Sequence, residues 1–84
     1  MDRNDIIAKL YVIINNFNFT INSNEEDFLM LNNVDSITFV ELVINIEKEF
    51  SILISEEYMI MEKMNSILEI VKIIEYEVAG ESHV

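Results

Sequence analysis

The sequence predicts an all-α fold, a four-helix bundle with a short third helix and a long first loop. The 84 residues include no proline and one glycine, so the turn signals of a β fold are scarce. Apolar residues recur three and four positions apart over long stretches, and strict alternation is limited to short stretches such as residues 51–55. We expect one domain over residues 1–84, because a chain this short supports a single core.

The first helix is predicted over residues 4–16, with Asn4 as its cap. Its apolar stripe at helical spacing consists of Ile6, Ile7, Leu10, Tyr11 and Ile14. An asparagine-rich stretch follows, which predicts a loop because asparagine side chains compete for backbone hydrogen bonds. Phe28, Leu29 and Leu31 are predicted to anchor this long connection to the core.

The clearest helix is predicted over residues 36–50. Its apolar stripe consists of Phe39, Leu42, Val43, Ile46 and Phe50. A short third helix is predicted over residues 55–62, where Glu56 and Glu57 suit the positive end of the helix dipole.

The last helix is predicted over residues 66–78, with Ser66 and Glu69 at capping-box spacing and Gly80 just past its end. Its inward positions are Ile67, Ile70, Val71 and Ile74. The tail of residues 81–84, which holds the single histidine His83, is expected to fray, so a histidine-based catalytic site is not expected.

The composition limits the classes of partner. A net charge of −11 argues against nucleic acid and against anionic membrane surfaces, and it favours proteins with basic patches. Without cysteine the chain forms no disulfide and no thiolate metal site, and we expect no metal. No secretory signal and no uncharged apolar run of about 20 residues stands out, so we expect a cytoplasmic monomer.

The strongest chemical signal is Asp35-Ser36 at the start of the second long helix. A phosphodiester on Ser36 would lie beside free N–H groups, and the helix dipole would favour it by about 0.3–1 kcal/mol. The Asp35 carboxylate is suited to hold a metal ion carried by a modifying enzyme. The alternative is that one of the two residues serves only as an N-cap.

The segment Val34–Phe50, which reads VDSITFVELVINIEKEF, closely resembles the attachment segment of the acyl carrier protein family. That family shows Gly-x-Asp-Ser-Leu, then a Val-Glu-Leu core, then an acidic stretch that ends in Phe. The following residues 52–57 are similar to the family's apolar exit and acidic third-helix start. The resemblance extends from about residue 28 to about residue 76.

This resemblance implies that Ser36 carries 4′-phosphopantetheine, attached from coenzyme A by a phosphopantetheinyl transferase, and that Asp35 assists the attachment. Acyl or aminoacyl groups would be held as thioesters on the thiol of this arm. The protein would then be a non-catalytic phosphoprotein that serves loading enzymes and synthases, and its reactive sulfur would be imported.

A second set of residues lies on the outward side of the same predicted helix. Ile37, Val40 and Ile44 recur at helical spacing. They give the helix more apolar surface than a single core-facing side needs, and the acids Glu41 and Glu47 flank them. This strip suits docking to basic patches on partner enzymes, and in the resembled family this helix is the recognition helix. The alternative is a wide core stripe beside ordinary solvated acids.

The segment also departs from the family pattern. Asn33 stands where the family has glycine, and asparagine tolerates left-handed backbone better than most residues. Thr38 replaces a frequent acid, Lys48 interrupts the acidic run, and Phe39 is bulkier than usual. We therefore expect a discrete carrier for polyketide, nonribosomal peptide or fatty-acid-type synthesis. A D-alanine carrier and an unmodified helical adaptor for protein binding stay open.

Overall fold

The computed structural model describes residues 1–82, the last two by backbone alone, and over this range it contains helices and no strand. The elements are α1 (Arg3–Asn16), α2 (Phe28–Leu31), α3 (Ser36–Phe50), a 3₁₀ turn (Glu56–Tyr58) and α4 (Ile67–Ser82). The all-α prediction is confirmed, and the three long helices form a small bundle in which α1 packs against both α3 and α4.

The core is built from the stripes that the sequence predicts. All the predicted inward residues of α3 and α4 are buried. On α1, Ile6, Leu10 and Ile14 are buried, Ile7 and Tyr11 are partly buried, and Ile13 is an additional core residue. The cap of α1 is Asp2, whose carboxylate accepts from the Asn4 N–H, so the prediction of Asn4 as the cap is wrong.

An ion pair joins the start of α1 to α4. The Arg3 guanidinium donates to both carboxylate oxygens of Glu75, at 3.0 and 2.6 Å. The hydrogen bond from Arg3 lowers the pKa of Glu75. Since both side chains are partly exposed to water, this pair links the two helices and adds little to stability.

The long connection between α1 and α3 is held down by aromatic packing. Phe17 stacks on Phe19 with ring centroids 5.3 Å apart, and Phe19 contacts Phe28 at 6.0 Å. Phe28 and Leu29 are buried as predicted, whereas Leu31 is 43% exposed, so its assignment to the core is wrong. The cause is the helical geometry of α2, which turns its last residues away from the core.

The predicted short helix over residues 55–62 is replaced by the single 3₁₀ turn. Met59 already has non-helical backbone angles, and the Ile60 carbonyl accepts from the Lys63 and Met64 N–H groups. Tyr58 packs edge-on against Tyr76 of α4, with ring centroids 5.9 Å apart. A helix as short as the one predicted over residues 55–62 has little stability of its own, so contacts such as the one between Tyr58 and Tyr76 decide the conformation of this segment.

The last helix continues to Ser82, so the predicted end near Val78 is wrong. Gly80 lies inside the helix in open space and without a positive φ angle. Glycine weakens a helix interior by about 1 kcal/mol but does not end it. Of the predicted fraying tail, residues 83 and 84 lie outside the described residues.

One of the two hydrogen bonds of the predicted capping box at the start of α4 is formed. The Ser66 hydroxyl accepts from the Glu69 N–H at 3.1 Å, while the Glu69 carboxylate accepts from Lys72 instead of reaching back. Among residues 1–82, no helix is both long and apolar enough to cross a bilayer.

Candidate functional site at the start of α3

The backbone before α3 turns sharply and brings Ser36 to the surface. Asn33 adopts a left-handed conformation with φ 51°, as expected for the position where the resembled family has glycine. The Val34 N–H then donates to the Leu29 carbonyl at 2.9 Å, which fixes the approach to the helix. Ser36 is the first residue of α3, and its side chain is exposed. The hydroxyl forms no hydrogen bond within the part of the chain that the structure describes, so it is open to modification.

Asp35 is the N-cap of α3. Its Oδ1 accepts from the Thr38 N–H at 2.8 Å, and its carbonyl accepts from the Phe39 N–H at 2.9 Å. Hydrogen bonds from the backbone and side chain of Thr38, with a smaller contribution from the Ile37 N–H, lower the pKa of Asp35. The carboxylate therefore stays ionised beside Ser36.

This cap corrects one expectation. The carboxylate of Asp35 already takes up amide donors of the first helical turn, so a phosphate on Ser36 would find fewer free N–H groups than the sequence suggests. The N-cap interpretation is confirmed for Asp35, while Ser36 is not the cap and keeps its hydroxyl free.

Replacing Asp35 by alanine is expected to lower the urea midpoint at neutral pH, whereas Asp35→Asn keeps most of the stability because asparagine also caps helices. The folded pKa of Asp35 lies below its unfolded value, so the ionic part of this stabilisation is present above about pH 4. It is lost as the pH falls through the lowered pKa. Urea unfolding curves of the three proteins at pH 7 and at about pH 2 measure the free energies of unfolding. If the difference between wild type and Asp35→Asn were larger at the acidic pH, the stabilising role of the ionised Asp35 would be contradicted.

The outward side of α3 is apolar, as predicted. Ile37 is 73% exposed, Val40 53% and Ile44 43%, so these residues do not belong to a wide core stripe. Glu41 beside them is exposed and available to a basic partner. Exposed apolar side chains in a row on one helix mark a surface suited to association.

Glu47, predicted as the second acid beside this strip, also accepts a hydrogen bond within the fold. Its Oε2 accepts from the Ile54 N–H at 2.9 Å, and the side chain is partly buried. The bond ties α3 to the chain that returns from the left-handed residue Ser51. Glu47 therefore shapes the site, and one of its carboxylate oxygens is already engaged.

An apolar groove with a volume of about 480 Å³ begins at Ser36 and runs along α3. We call it the Ser36 groove. On α3 it is lined by Ser36, Phe39, Val40, Val43, Ile44 and Glu47. Its other wall is the segment Met59–Glu62, which follows the 3₁₀ turn. The hydroxyl of Ser36 is thus next to an apolar surface large enough to hold part of a flexible chain.

The wall Met59–Glu62 is the part of the site that sequence reasoning misses. The signal was present: Tyr58, Met59, Ile60 and Met61 are four consecutive apolar residues, more than a short helix can bury on one side. Met59 and Ile60 are in fact exposed. Methionine adapts to differently shaped ligands, which suits a groove wall.

Comparison of the chain with protein-family models, with curated proteins and with solved structures gives no match. The resemblance to acyl carrier proteins stays a prediction from the residues around Ser36.

Proposed function

We propose that the protein is a discrete carrier that holds thioester-linked intermediates on a 4′-phosphopantetheine arm attached to Ser36. The observation that carries the proposal is the exposed, unbonded hydroxyl of Ser36 as the first residue of α3, at the mouth of an apolar groove. A serine that serves only the fold would be expected to cap the helix, and here Asp35 does so.

The surroundings of Ser36 fit such an arm. The hydroxyl faces solvent, so an enzyme can reach it, and the positive end of the α3 dipole lies beneath it. When attached, the arm supplies a terminal thiol that forms thioesters. The chain itself positions the arm, keeps Asp35 ionised beside the attachment point and offers the Ser36 groove to whatever the arm carries.

The lining of the Ser36 groove favours an aliphatic acyl group over an aminoacyl group as cargo. Besides Ser36 and the acids Glu47 and Glu62, its lining is apolar throughout, so a charged amine would be buried mainly against apolar side chains, which is costly. Fatty-acid-type or polyketide intermediates are accordingly favoured over peptide or D-alanine loading.

Mass spectrometry tests the attachment. After incubation with coenzyme A and a broad-specificity phosphopantetheinyl transferase, the protein should gain the mass of one phosphopantetheine group, and peptide mapping should place the gain on Ser36. The rival function is an unmodified helical adaptor that uses the exposed side of α3 only to bind proteins. An unchanged mass would favour the adaptor.

The cargo is tested on the same modified protein, loaded in turn with an octanoyl and an alanyl group. An aliphatic chain lying in the Ser36 groove should slow hydrogen exchange of the amides of residues 59–64 relative to the unloaded arm. The alanyl group should leave these amides unchanged. Equal protection by both groups would remove the preference for aliphatic cargo without affecting the attachment.

A further inference from the structure

The short helix α2 presents apolar side chains on two sides. Its sequence is Phe28-Leu29-Met30-Leu31, and the first two residues are buried in the core. Met30 is 75% exposed and Leu31 43% exposed. The core does not use these two side chains, although the outward side of a surface helix is ordinarily polar.

The backbone of α2 is fixed at both ends. The Phe28 N–H donates to the Asn65 carbonyl at 3.0 Å, and Asp27 Oδ1 accepts from the Met30 N–H at 2.9 Å. The Asn32 side chain accepts from the Thr20 N–H at 2.7 Å and donates to the Thr20 carbonyl at 2.9 Å. Met30 is therefore held outward by a fixed backbone, as a pre-organised contact requires.

A second groove, with a volume of about 340 Å³, lies beside Met30, and we call it the α2 groove. Leu29, Met30, Val34 and Met61 provide its apolar lining. It shares Met61 and Glu62 with the Ser36 groove, so the two grooves meet at this segment. The charged residues that line either groove are Asp27, Glu47 and Glu62, and all of them are acids.

We propose that α2 and the α2 groove form the second half of the docking surface for the transferase that modifies Ser36. The partner would place an apolar side chain against Met30 and basic side chains near Asp27 and Glu62. Attachment at Ser36 is a premise of this step.

Two features favour this occupant. Val34 of the α2 groove is only two residues before Ser36, and a stable interface covers about 800 Å² on each partner. An enzyme that reaches Ser36 therefore covers both grooves. The acids that line the two grooves match a basic surface, and such a match speeds encounter and excludes partners of the wrong charge.

The test measures transferase kinetics by the rate of mass gain at varied concentrations of the protein. Met30→Gln is expected to raise KM for this protein about tenfold with little change in kcat, because the contact positions the protein without touching the reacting atoms. Met30→Leu should restore a KM close to that of wild type. The matched control is Val12→Gln on α1, since Val12 is 60% exposed and lines neither groove, and its KM should stay at the wild-type value.

The outcomes separate the two proposals. An unmodified wild-type protein would overturn the proposed function and this docking surface together. Modification of wild type with an unchanged KM for Met30→Gln would overturn the role of α2 alone. Equal increases for Met30→Gln and Val12→Gln would also overturn it, because the effect would then be a general one. Matching urea midpoints of all variants exclude misfolding, and Leu31→Gln is a second variant on the same helix.

Discussion

Ser36→Ala is expected to abolish the mass gain completely while leaving the free energy of unfolding within about 0.5 kcal/mol of the wild-type value. The hydroxyl is the only atom group removed, and it forms no hydrogen bond within the described part of the chain. Alanine is also a good helix former, so α3 keeps its first turn. Loss of modification without loss of stability would identify Ser36 as the acceptor.

Ser55→Ala is the matched control for this experiment. Ser55 is exposed, stands immediately before a helical turn and is followed by the acids Glu56 and Glu57, so it shares the general setting of Ser36. It does not line the Ser36 groove, and its hydroxyl is hydrogen bonded to the Glu77 carboxylate at 3.2 Å. The control should be modified at the wild-type rate. A mass gain that persists in Ser36→Ala and disappears in Ser55→Ala would move the attachment point and refute the proposed site.

The sequence predicts the long helices well and the short elements poorly, for a physical reason. Helices α1, α3 and α4 each have three or more buried residues at helical spacing, so the local pattern and the tertiary packing agree. The 3₁₀ turn and α2 are only three and four residues long. Their conformations depend on contacts with distant residues, such as the contact between Tyr58 and Tyr76, and a local pattern does not contain that information.

The candidate site likewise combines residues whose placement follows from the local sequence with residues that only the tertiary fold brings together. Ser36, Asp35 and the outward residues of α3 are close in sequence, so their shared location could be predicted. The wall Met59–Glu62 and the exposed Met30 come to the same surface through the tertiary fold. Glu47 was predicted as an acid beside the docking strip. Its hydrogen bond from the N–H of Ile54, seven residues later, could not be read from the local pattern.

Phe28→Ala is expected to lower the free energy of unfolding by about 3–5 kcal/mol. Phe28 is fully buried, contacts the Phe19 ring and seats α2 on the core, and alanine would leave a cavity that α2 cannot fill. A domain of this size has a stability of only about 5–15 kcal/mol, so the variant would lose a large part of it. Urea unfolding followed by circular dichroism measures the change.

The matched control is Met30→Ala in the same helix. Because Met30 is mostly exposed, its loss should change the free energy of unfolding by no more than about 0.5 kcal/mol. Similar losses for both variants would contradict the packing of α2 described above. Together the variants separate the two sides of this helix: the Phe28 side holds α2 in place, and the Met30 side is left for a partner.

Where Phe28→Ala still folds in the absence of urea, Ser36 remains exposed on α3, so modification should continue with a raised KM, as in Met30→Gln.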